Sequence, residues 1–265
     1  MNATGYGYDG RVTGSKSPSI GRSIALDARQ QAPSIAVQLV YASGEMLLEA
    51  RRFVGASWGL GGNHVSATIA SPSGRAFSES DTIWAGTDLY PIANLTWSKG
   101  NDSWMVYLTG DIPVGGYQAS RLANTGIDHA AIDGGAGYTY YDLKSGAEWS
   151  AVIGVTYNAP NVHTSYRNGV DSHLDWAASQ SLSADWSLGV AGYVDYQLTG
   201  DTGSGAVLGP FESRVAAVGP EIGYQFGVGK QQWQTSLRAY WEFWAENRYR
   251  GRAMFATVNI PLSGR

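Results

Sequence analysis

Between Ala147 and Asn158 the side chains alternate strictly between two faces. Ala147, Trp149, Ala151, Ile153, Val155 and Tyr157 share one, while Glu148, Ser150, Val152, Gly154, Thr156 and Asn158 share the other. The pattern returns over 186–199, where Trp186, Leu188 and Val190 oppose Ser187, Gly189 and Ala191, and over 233–246, where Trp233, Leu237 and Trp241 oppose Gln234, Arg238 and Glu242. Period-two alternation is the mark of a strand with two different surroundings. These strands exceed the five or six residues common in soluble sheets. They match the roughly nine to eleven residues that cross a bilayer at a tilt. About ten such segments are readable: 63–71, 83–98, 102–113, 129–142, 147–158, 171–182, 185–199, 212–227, 231–246 and 249–262.

The connections also alternate. Short ones lie at 98–101, 143–146, 183–185 and 227–230, and long ones at 71–82, 114–128, 159–170 and 200–211. Short turns at one end and long loops at the other belong to outer-membrane barrels. The expected fold is all-β, an antiparallel up-and-down transmembrane β-barrel of about 10–12 strands. Composition agrees. Only 15% of residues are charged and mean hydropathy is −0.20, so apolar and small polar residues are interleaved instead of blocked. No run of some eighteen apolar residues encodes a membrane helix.

Net charge of −4 argues against nucleic acid, which needs a basic footprint. With no Cys, and four His residues (64, 129, 163, 173) without ligand spacing, no metal or cofactor is expected. Ser172, His173 and Asp175 invite a hydrolase reading. Adjacent strand residues point to opposite faces, however, so Ser172 and His173 cannot pair, and no catalytic residue is assigned. The expected partners are outer-membrane lipid and a small-molecule solute, with oligomeric state left open.

Trp97, Trp104, Trp149, Trp186 and Trp233 lie within a few residues of the short turns, on the apolar faces. Trp favours the membrane–water boundary, where one part of the ring is buried and another hydrogen-bonds. These five form an expected interface girdle. The polar faces carry Tyr193, Asp195, Glu221, Arg238, Tyr240 and Glu242, the candidates for a solute path through the lumen. Arg238 needs a neutralising neighbour. Glu221 on the preceding strand is the expected partner, with Asp195 or Glu148 completing the network from across the lumen.

Residues 1–45 lack clear alternation and are rich in Gly, Ser and charge. They are expected to be poorly ordered or loosely attached, leaving 46–265 as the barrel, with one additional strand near Ile35–Tyr41. No apolar signal-peptide core is present in Met1–Gln30, so the start is read as incomplete or misplaced. Arg51 and Arg52 also look costly beside lipid.

Gly86–Trp97 (GTDLYPIANLTW), Arg121–Gly126 (RLANTG), Thr199–Gly209 (TGDTGSGAVLG), Gly219–Gln225 (GPEIGYQ) and Phe243–Gly251 (FWAENRYRG) resemble a known family. It is the family of outer-membrane barrels named for the meta-pathway of phenol degradation. The resemblance covers about Leu60 to Leu262. It implies residence in the bacterial outer membrane and uptake of small hydrophobic or aromatic molecules. The alternatives are an outer-membrane barrel enzyme of lipase or deacylase type and a structural barrel without transport.

Overall fold

The computed structural model describes residues 1–16, 24–70 and 75–262. Its strands are β1 (Asn2–Lys16), β2 (Ile24–Gln31), β3 (Ser34–Leu47), β4 (Ala50–Ala70), β5 (Ala76–Gly86), β6 (Tyr90–Lys99) and β7 (Asp102–Asp111). They continue as β8 (Ala131–Asp142), β9 (Ala147–Asn158), β10 (Asp171–Ser181), β11 (Trp186–Gln197), β12 (Arg214–Val228), β13 (Gln231–Glu246) and β14 (Arg250–Asn259). All pairings are antiparallel. Twelve strands close into a barrel when β1 pairs with β14, from Asn2 opposite Asn259 to Arg11 opposite Arg250.

The two extra strands, β2 and β5, raise one side of the wall. β2 and β3 form one tall strand interrupted at Ala32 and Pro33, where proline cannot donate to the ladder. β5 and β6 are likewise parted by residues 87–89. β4, 21 residues long, pairs with β2 and β5 in its upper half and with β3 and β6 in its lower half. The region read as a loop over 71–82 is therefore mostly strand β5, although residues 71–74 lie outside those described.

The N-terminal expectation is corrected. Within 1–45, apart from 17–23 outside the described residues, the chain forms β1, β2 and most of β3, and β1 completes the barrel. Its alternation is inverted in size, which hides it. Ala3, Gly5 and Gly7 face outward while Tyr6 and Tyr8 face the lumen. The Arg52 difficulty is relieved locally. The side chain lies near the Leu47–Ala50 turn, 2.7 Å from Glu45 and 3.1 Å from the Ser43 hydroxyl.

The wall has inverted polarity. Trp149, Ile153, Val155, Leu188, Val190 and Trp241 are exposed on the outer surface, whereas Asp133, Glu242 and Gln197 are buried inside. An apolar exterior and polar interior suit a wall bathed in lipid. On four neighbouring strands the outer face changes character at one level. In β14 it runs Val258, Ala256, Met254, then Arg252 and Arg250. In β1 it changes at Asp9, in β2–β3 at Gln31 above Ile35, and in β4 at His64 above Leu60. The tall strands therefore rise out of the apolar band.

Candidate functional site: the lumen and its cap

The lumen site is built by inward positions of β11, β12, β13, β14 and β1. Glu221 and Arg238 sit directly opposite on β12 and β13, and Arg238 Nη2 donates to Glu221 Oε1 at 3.0 Å. The expected ion pair is thus present. Glu148 is an electrostatic neighbour of both. Asp195 does not join them. It faces Arg248, from the β13–β14 connection, at 3.2 Å.

Glu242 is an almost fully enclosed charge of the strand wall, at 1% exposure. Its carboxylate accepts from Tyr193 Oη at 2.9 Å, Tyr8 Oη at 2.9 Å and the Gly251 amide at 2.6 Å. A buried carboxylate persists only when such donors replace its water. A bulge helps to place it: Ala217 pairs with Glu242 while the adjacent Ala216 pairs with Trp244, leaving Phe243 outside the ladder.

Beside this carboxylate runs a chain of rings. Tyr6 lies 4.8 Å from Phe255, Phe255 5.8 Å from Tyr240, and Tyr240 5.2 Å from Tyr193, centroid to centroid. The last two contacts are edge-to-face, a favoured arrangement of ring quadrupoles. A cavity of about 760 Å³ opens over these residues. Tyr6, Tyr8, Tyr193, Asp195, Glu242 and Phe255 line it from the wall, and Tyr166, Phe211, Arg248 and Tyr249 from the loops. Of the six lumen candidates read from sequence, Tyr193, Asp195 and Glu242 line the cavity, while Tyr240 joins its ring chain and Glu221 with Arg238 pair separately. Tyr6, Tyr8, Phe255 and Arg248 were missed. The period-two Tyr6–Tyr8 spacing and the parity of Phe255 on β14 are the signals that identify the first three; Arg248 lies in a loop and gives none.

Across the barrel, Tyr107 Oη and His173 Nε2 are 2.9 Å apart, and His173 Nδ1 is 2.8 Å from Asp175. Gly154 makes the approach possible, since a Cβ there would lie 2.0 Å from Tyr107 Oη. Ser172 points away, and its hydroxyl donates to the Tyr196 carbonyl at 3.0 Å. No Ser172–His173 pair forms.

The long loops fold over the lumen. Asp88, fully buried between β5 and β6, accepts from the amides of Gly115 at 2.7 Å and Ile127 at 2.8 Å, pinning both ends of the β7–β8 loop. Arg121 in that loop clamps Asp81 on β5, with Nη2 2.6 Å from Oδ1. The guanidinium, aided by the Ala123 amide, holds the Asp81 carboxyl down to about 2. Asn161 donates to Tyr117 and to the Ile127 carbonyl at 3.2 Å, tying the β9–β10 loop to the first. Asp201 accepts from Gln197 at 2.7 Å and from Tyr166, tying in the β11–β12 loop. These three loops form one hydrogen-bonded cap.

The five tryptophans occupy outward-facing positions near the short turns. Trp97 pairs with Trp104, Trp104 with Tyr138, and Trp186 with Tyr224. Trp97 Nε1 donates to the Leu48 carbonyl at 2.9 Å.

The family model described as "Putative MetA-pathway of phenol degradation" matches residues 13–258. The chain belongs to this family. Among solved structures, an outer membrane channel from Pseudomonas putida F1 is similar at 13% identity and TM-score 0.63, covering 97% of this chain and 93% of the other. That likeness establishes the family member's fold. The transport unit of the autotransporter AIDA-I from Escherichia coli matches at 9% identity and TM-score 0.47, over 97% and 88% of the two chains. Among curated proteins, none matches.

Proposed function

We propose that this family member is an outer-membrane pore that admits small hydrophobic or aromatic molecules through a capped, ring-lined vestibule. The observation that carries the reading is the Tyr6–Phe255–Tyr240–Tyr193 ring chain beside Glu242, of which Tyr6, Phe255 and Tyr193 line a cavity of about 760 Å³. That volume is in the range of small-molecule sites. Ring faces and edges offer stacking contacts to an aromatic solute. Asp195 and Arg248 at the cavity's edge give hydroxyl groups something to bond.

The location rests on the apolar exterior, the family and the channel-like fold. In this reading the short turns, with Trp97, Trp104, Trp149, Trp186 and Trp233 as an interface girdle, face the periplasm, and the cap faces outside. Outer-membrane lipid and the solute are its partners, and no catalytic role is assigned.

The test is calorimetric titration of the folded protein in detergent with phenol and, separately, benzoate. Phenol should bind, and Phe255→Ala should weaken it about three- to tenfold, the worth of one ring contact. Equal phenol affinity in the variant would remove the vestibule from the solute path.

A further inference from the structure

Above the apolar band, three arginines stand side by side on the outside of the barrel. Arg250 on β14 is directly opposite Arg11 on β1, and Arg11 is directly opposite Arg29 on β2. Arg252 stands one step nearer the apolar band, opposite Asp9. Like charges facing one another across a sheet destabilise it. Two aspartates relieve part of this. Asp27 pairs with Arg11, and Asp9 lies 2.5 Å from Arg29. Arg250 and Arg252 are exposed, and neither has an ion-pair partner among the described residues. Four guanidiniums (Arg11, Arg29, Arg250 and Arg252) against two carboxylates (Asp9 and Asp27) leave the patch with two positive charges in excess.

The surroundings narrow the ligand. Arg252 is in register with Trp241, which is exposed on the outer surface, and Met254 follows below. The arginines therefore stand where a lipid headgroup begins. The same outer face continues across β4 and β5 as a sheet of short hydroxyls, with Ser66 opposite both Arg29 and Ser80, and Thr68 opposite Ser78. Guanidinium forks match phosphate oxygens bidentately. Serine and threonine hydroxyls match saccharide hydroxyls.

We propose that this patch binds the phosphorylated saccharide headgroup of an outer-leaflet lipid, with Arg250 and Arg252 gripping phosphate. The inference rests on the outer-membrane reading, because it needs the tall side of the wall to stand in the outer leaflet. Phosphate from the lipid would offset the Arg250–Arg11–Arg29 repulsion, so the bound lipid also steadies the seam where β1 closes on β14.

The experiment uses the full chain folded in detergent and native mass spectrometry, with diphosphorylated lipid A as probe and its dephosphorylated form as control. The expected result is at least about tenfold tighter binding of the phosphorylated lipid, the scale of one or two charge-assisted contacts. The Arg250→Ser/Arg252→Ser variant, which leaves both Asp–Arg pairs intact, should lose that preference. Equal binding of the two lipids, or an unchanged preference in the variant, would overturn the proposal. Full displacement of lipid A by millimolar inorganic phosphate would also overturn it, by making the ligand a free anion. Bilayer insertion of the same sample is scored in parallel. A chain that inserts but lacks the preference fails only this proposal, whereas one that does not insert fails the location as well.

Discussion

Tyr8 on β1 and Glu242 on β13 meet across the intervening β14, with the phenol hydroxyl 2.9 Å from the carboxylate. The contact joins the strand that closes the barrel to the wall of the vestibule. Replacing Glu242 with Ala would leave Tyr8, Tyr193 and the Gly251 amide without their acceptor. The expected cost is about 2–4 kcal/mol, since stranded buried donors pay desolvation. Glu242→Gln, which retains an acceptor oxygen, should cost about 1 kcal/mol. Urea titration of the protein folded in lipid vesicles measures both, and similar losses for the two variants would show that the acceptor is not what matters.

Ile153 and Val190 face outward from β9 and β11, while Ser150 faces the lumen. Arg at either outward site should destabilise by about 2–4 kcal/mol in vesicles, and Ser150→Arg by less. The reverse ranking would mean that the two faces have been exchanged.

Arg238 is the basic member of the pair at the base of the ring chain, 3.0 Å from Glu221. With Ala at 238, Glu221 and Glu148 remain as unbalanced carboxylates. Reversal potentials in a salt gradient should move towards cation preference, and Arg238→Lys should move them less. Stability should fall by only about 1 kcal/mol, because the guanidinium is partly hydrated. An unaltered reversal potential with a large stability loss would make the pair a brace.

Much of this was readable in the sequence because period two survives wherever lipid presses on one face. Strand β9 coincides with the segment 147–158 read by alternation, and Glu221 and Arg238 follow from counting across the 227–230 turn. The N-terminal strands escaped for a physical reason. β1 places Gly and Ala towards lipid and Tyr towards the lumen, and its upper half stands above the apolar band, where no hydrophobic alternation is required. Arg248 and Phe211 reach the vestibule from loops, and loop packing leaves no periodic signature.

The Asp81–Arg121 clamp gives the cap a pH dependence. Its folded-state carboxyl is lowered, to about 2, from an ordinary value near 3.9. The clamp's contribution is therefore present in full above that ordinary value and is lost as pH falls towards 2. Amide exchange in the β7–β8 loop, corrected for its intrinsic pH dependence, should accelerate between about pH 4 and 2. Asp81→Asn should exchange quickly at every pH, and a wild-type loop unaffected by acid would refute the clamp.

The most direct test of the pore itself is swelling of liposomes that contain the purified, folded chain. Small uncharged aromatic solutes such as catechol should drive swelling well above protein-free liposomes, with benzoate and other anions of similar size slower because Asp133, Asp175 and Asp195 line the inner wall. Vesicles that carry the folded barrel yet swell no faster than protein-free ones, with every solute tried, would contradict the account.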